Sequence, residues 1–162
     1  MTNDHPEDAV ATAAERPMLQ TWLDIQRDTV VRKISGLSEV DIRRRLVPSL
    51  TTVGGVVKHL RWVETGWFHE LLGARSADHL RAHPRDWEFT VQPDDTADSL
   101  IAEYRAACAR SRELATTFAL DDTVPHHEIG RVSLRWIYVH LIEETARHAG
   151  HLDILREQLE AS

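Results

Sequence analysis

Apolar residues recur at steps of three and four along nearly the whole chain, the spacing that an α-helix turns into one buried face. Four segments carry it. The first predicts a helix over about Pro17–Ile34, with Leu19, Trp22, Leu23, Ile25, Val30 and Ile34 inward, Pro17 in its first turn and Gly36 as its stop. A short helical turn around Ser38–Leu46, closed by Pro48, leads to a second helix. That helix starts at Thr51 or Thr52 and reaches Leu72, with a stripe of Val56, Leu60, Val63, Trp67 and Leu71 and with Gly73 at its end. The third spans about Thr96–Thr117, capped by Asp95 or Thr96, with Leu100, Ile101, Tyr104, Cys108, Leu114 and Phe118 inward. The fourth runs from the good N-cap Ser133 to about Leu159. Four long helices in 162 residues predict one all-α domain over residues 1–162, a four-helix bundle, with residues 1–15 as a polar lead-in. Segments 74–95 and 119–132 show no period and are read as long irregular connections, which in small domains often carry function.

Charge and composition narrow the function classes. A net charge of −7 leaves no basic face for phosphates, which argues against nucleic acid. No apolar run approaches the roughly 18 residues that span a bilayer, and the first residues hold early acids rather than a signal peptide's apolar stretch. The expected location is the cytoplasm. The single cysteine, Cys108, excludes an internal disulfide and a Cys-rich zinc site, and reads as a small buried hydrophobe.

Ten histidines stand out. His140, Glu144, His148 and His151 follow one another at steps of four, four and three on one face of the last helix. Two ligands a turn apart can grip one ion, and a third must come from another helix, where His59 is the natural donor. Two neutral imidazoles and a carboxylate suit zinc, and also iron, nickel or manganese, and leave a coordination position open. At about 100° per residue, with His140 at zero, the apolar stripe Leu134, Ile137, Leu141, Leu152 and Leu155 centres at roughly 90–100°. His148 then falls at about 80° and Glu144 at about 40°, bordering the core, whereas His151 and His140 fall at about 20° and 0°, outward or on a rim. Surface pairing of Glu144 with Arg147 or His148 fits the same spacing. His5, His69, His79 and His83 read as surface residues, and His126-His127 as part of a loop.

The segments Val56-Val57-Lys58-His59-Leu60-Arg61-Trp62-Val63-Glu64, Trp67-Phe68, Asp86-Trp87 and above all Arg135-Trp136 and His140 through Glu157 resemble the DinB-like superfamily. The likeness covers about Leu19 to Glu160 and is strongest to an actinobacterial branch related to mycothiol-dependent maleylpyruvate isomerase. The resemblance implies a DinB-like four-helix bundle with one metal near the bundle end, its ligands matching His59, Glu144 and His148. Many members carry His where this chain has Glu144; the maleylpyruvate isomerase relatives carry Glu. It further implies a divalent-metal-dependent enzyme using a low-molecular-weight thiol, mycothiol, as an S-transferase or isomerase acting on a small electrophile. His140, Arg147, His151 and Arg156 are the expected contacts to polar groups of that cosubstrate. Analogy with relatives adds a homodimer. A metal-dependent hydrolase and a non-catalytic metal- or ligand-binding bundle remain as other readings of the same residues.

Overall fold

The computed structural model describes residues 5–73, 84 and 86–161. Among these, four long helices form the body: α1 (Glu15–Ile34), α2 (Val53–Glu64), α3 (Ala97–Ala115) and α4 (Leu134–Glu160). α1 packs chiefly along α4, and α2 along α3. The caps are the expected ones. Thr52 accepts from the Gly55 amide, Thr96 forms a reciprocal capping box with Ser99, and Ser133 accepts from the Trp136 amide. No described helix is long and apolar enough to cross a membrane.

Three features depart from the sequence reading. α2 does not continue to Leu72 as an α-helix; it passes into a π-helix over Thr65–Leu72. The inward face already sits one residue on at the end of α2, and the wider turn keeps it there with steps of four. Glu64, Phe68 and Leu72 are buried in place of the expected Val63, Trp67 and Leu71, which are only half-buried. Segment 119–132 is not wholly irregular either, because Thr123–His126 (β1) and Gly130–Ser133 (β2) form an antiparallel hairpin, His126 opposite Gly130. Gly130 takes φ +87°, the left-handed conformation that a short hairpin loop requires. Finally, Trp22 is 41% exposed and Ile25 half-buried, while Arg27 is buried in their stead.

The core has two parts. One cluster holds Val30, Ile34, Ile42, Val53, Val56, Leu60, Leu100, Tyr104, Leu152 and Leu155. The other holds Leu19, Leu23, Phe68, Leu72, Leu134, Ile137, Tyr138 and Leu141. Along every helix the boundary between them falls on polar residues: Arg27 on α1, Glu64 on α2, Ser111 on α3, and Glu144 and Thr145 on α4. A polar belt thus crosses the bundle at mid-height. Cys108 is buried beside it, and burial pushes its thiol well above the ordinary range, as an inert packing role requires.

Candidate metal centre

On the side of the belt where α2 faces α4, His59, Glu144 and His148 converge. One donor atom from each lies within 4.8 Å of the other two. His59 Nε2 is 3.3 Å and His148 Nε2 3.2 Å from the same oxygen, Glu144 Oε1. The imidazole centroids are 4.8 Å apart at 60°. All three side chains are 12–13% exposed, enclosed but reachable. Ligand atoms held about 2.1 Å from one ion at tetrahedral angles stand about 3.4 Å apart, so both nitrogen–oxygen spacings, which here are hydrogen bonds, would also suit a shared ion. The residues present fit the group in donor type as well, two imidazoles and one carboxylate.

The sequence places these groups by simple means. Glu144 and His148 are one turn apart on α4, and His59 lies on α2 beside the buried Val56 and Leu60. The angular argument holds for the neighbours too: His151 is exposed and His140 half-buried. His151 Nδ1 sits 3.4 Å from His148 Nδ1. Arg147 is exposed, pairs with Glu143, and reaches Glu144 Oε2 at 2.9 Å, so the surface pairing considered for Glu144 exists beside the convergence on its other oxygen. His140 lies between Trp136 (centroids 5.0 Å, stacked) and Trp67 (4.6 Å, edge-on). Arg156 is not brought to the cluster. It donates to the Lys33 and Ser35 carbonyls at the end of α1 and pairs with Glu160, about 12 Å along α4 from His148 at 1.5 Å per residue.

Burial raises the Glu144 carboxyl, but the hydrogen bond from His59 and the charges of His148 and Arg147 outweigh it and hold Glu144 below the usual carboxylate range. Burial lowers His148, with His59 adding to the effect against the pull of Glu144. His140 is lowered as well, mainly by burial. An ionised carboxylate and a neutral imidazole are the protonation states in which these groups bind metal.

Sequence reasoning missed two members. Glu88 Oε2 is 3.3 Å from His59 Nδ1, the second nitrogen of that ring, and Phe89 stacks on the same ring at 4.3 Å and 15°. Both come from the 3₁₀ turn Trp87–Phe89, in the connection read as lacking a period. The Glu88 contact is one of distance, since His59 Nδ1 makes no hydrogen bond in this geometry; a small shift of the carboxylate would let it accept from Nδ1, the bond that orients a metal-facing imidazole. Gly55 lets this turn approach, since a Cβ there would collide with the Phe89 carbonyl. Lys58 holds the following residues through Asp95 at 3.0 Å and lies over Trp87 at 4.5 Å, while Arg43 donates to the Gln92, Pro93 and Asp95 carbonyls. The sequence signal was Trp87-Glu88-Phe89 itself, two aromatics and an acid inside a connection. His69, expected at the surface, is half-buried and bonded to the Ala107 carbonyl at 3.1 Å and Ser111 Oγ at 3.3 Å. His79 and His83 lie outside the described residues.

Fold and site together define the class: a helical bundle in which two histidines and a glutamate that could hold a metal ion converge between its second and last long helices. Residues 18–161 match the profile of the mycothiol S-transferase family, and the chain belongs to that family. No curated protein is significantly similar to it.

Proposed function

We propose that the chain transfers a small electrophile onto the sulfur of mycothiol, using a divalent ion, zinc in the first instance, held by His59, Glu144 and His148. Family membership supports the thiol and the transfer. The observation that carries the metal is the approach of two imidazole nitrogens to one Glu144 oxygen, at 3.3 and 3.2 Å.

Three protein donors leave a position for an exogenous ligand, and a divalent ion so held lowers the pKa of a thiol that binds it, supplying a thiolate at neutral pH. The protein's part is to prepare that position. Glu144 and His148 are set to be ionised and neutral, respectively, at neutral pH. Phe89 stacks on the His59 ring and sheds water from that face, and Glu88 lies 3.3 Å from its second nitrogen. His151 and Arg147 stand at the rim, where an imidazole and a guanidinium can meet hydroxyl or amide groups of the thiol cosubstrate. Cys108, buried with its thiol pushed up, takes no part.

The test is elemental analysis of the purified protein, then incubation of the metal-loaded chain with mycothiol and a panel of electrophiles. The expected result is one metal per chain and an S-conjugate identified by mass spectrometry. Metal without any conjugate across the panel leaves a binding bundle and defeats the transfer reading.

A further inference from the structure

Beyond the three donors, on the hairpin side, the side chains of the π-helix, the hairpin and α4 form a surface of rings. His140 lies one turn before Glu144, which puts its Cβ about 5–6 Å from that of Glu144. Its ring stacks on Trp136 (5.0 Å, 22°) and meets the edge of Trp67 (4.6 Å, 61°). Trp67 contacts Trp136 at 5.1 Å and stacks on His126 at 5.0 Å and 16°, and His126 stacks on His127 at 4.7 Å. Three elements meet to build this surface: the π-helix supplies Trp67, the hairpin His126, and α4 Trp136 and His140. A π-helix is rare and concentrates at functional sites. Here it keeps Trp67 off the buried face and in the cluster. His126 is fixed by the backbone, its Nδ1 accepting from the amides of Glu128 and Ile129 at 3.2 and 3.3 Å. Trp136 keeps 39% of its surface exposed, so the shelf is open to a ligand.

We infer that this shelf is the subsite for the electrophile, and that it takes a neutral, planar, electron-poor aromatic ring. Indole faces are electron-rich, so they stack best on rings depleted of electrons. Glu143, Glu144 and Glu88 lie along the adjoining stretch, with Arg147 already paired to the first two, so an anionic substrate gains little here. The rise from Glu144 back to Trp136 is about 12 Å at 1.5 Å per residue, room for one ring with its reacting carbon toward the metal position. With an aryl halide, the thiol sulfur forms the new bond to the ring carbon, the carbon–halogen pair departs with the halide, and the thiol proton passes to solvent.

The substrate assignment rests on the thiol-transfer reading, and the experiment separates the two. Isothermal titration calorimetry of the zinc-loaded full chain with 1,3-dinitrobenzene, which has the ring but no leaving group, needs no transfer. One site per chain is expected, with Trp136→Ala and His140→Leu each weakening binding about three- to tenfold, the worth of a stacked pair. Trp22→Ala, an exposed tryptophan on α1, leaves binding unchanged. Nitrocyclohexane, similar in size but without a π-face, binds more weakly than the arene and equally to the wild type and Trp136→Ala. Absence of binding to the wild type, equal binding of the two ligands, or wild-type affinity in both shelf variants overturns the inference. A second arm uses mycothiol and 1-chloro-2,4-dinitrobenzene. Ring binding that depends on Trp136 without any arylated thiol sustains the shelf and removes the transfer reading. Conjugates forming equally fast in the wild type and Trp136→Ala with aryl and alkyl halides remove the shelf and keep the transfer.

Discussion

The two ends of the polar belt hold a glutamate each, and they hold it differently. Glu64 receives Arg27 through two parallel bonds, Nε and Nη2 to Oε1 and Oε2, both at 2.7 Å, with the pair 1% and 4% exposed. Asp24 takes a further Arg27 nitrogen at 2.9 Å. All three guanidinium nitrogens of Arg27 are engaged and both Glu64 oxygens are taken, so the pair is closed. Glu144 has no such fork: two imidazoles share one oxygen, Arg147 takes the other, and 13% of the side chain meets solvent. Similar carboxylates on neighbouring helices thus have opposite chemical capacity. A fixed permanent cation consumes the first; imidazoles, which exchange protons for metal near neutral pH, leave the second available.

The largest effect is expected at the closed end. Arg27→Ala leaves a buried carboxylate without its partner and should cost about 3–5 kcal/mol, seen in thermal unfolding as a fall of about 10 °C at a few degrees per kcal/mol. Adding Glu64→Leu to Arg27→Met should recover most of it, as for other buried pairs replaced by apolar residues. A loss below about 1 kcal/mol in Arg27→Ala would break the contrast.

Next comes His148→Ala at the open end, where the stability of the metal-free chain should change little while metal retention disappears. Loaded wild type, with metal at about 1,000 times its dissociation constant, should gain about 4 kcal/mol, and the variant none. Glu88→Ala sharpens the comparison further. Removing the carboxylate behind His59 should weaken metal affinity by about ten- to hundredfold in a competition titration with a chelating dye. Gly55→Ala, which displaces the same turn, should act in the same direction.

The smallest effect is one of pH. His148 and Glu144 are both held below their unfolded values, so the unfolded chain binds more protons and their stabilisation is present only above those values. For His148 it is lost as pH falls below about 6.5, and for Glu144 as pH falls below about 4.5. Denaturant titrations of the metal-free chain between pH 7 and 5 should show a decline that His148→Gln reduces, the remainder coming from His140, which is lowered as well. Metal affinity should fall over the same range, because protons compete for the imidazole.

The bundle, the Ser133 cap, the other two caps to within one residue, and the core-edge placement of Glu144 and His148 were written in the sequence, because helical period and capping chemistry act within a few residues. The residues that converge, His59, Glu144 and His148, were legible for the same reason, as positions on two wheels. Three things were not. Which angle α2 and α4 adopt, and hence that both imidazoles meet one carboxylate oxygen, is a matter of packing between elements 85 residues apart in the chain. The π-turn that buries Phe68 and Leu72 and leaves Trp67 half-buried preserves a helical pattern while changing its phase, so a period of three and four cannot reveal it. Glu88 and Phe89 reach His59 only because Gly55 has no side chain and Asp95 finds Lys58. Local spacing determined which residues could face a common point; long-range contact decided that they do.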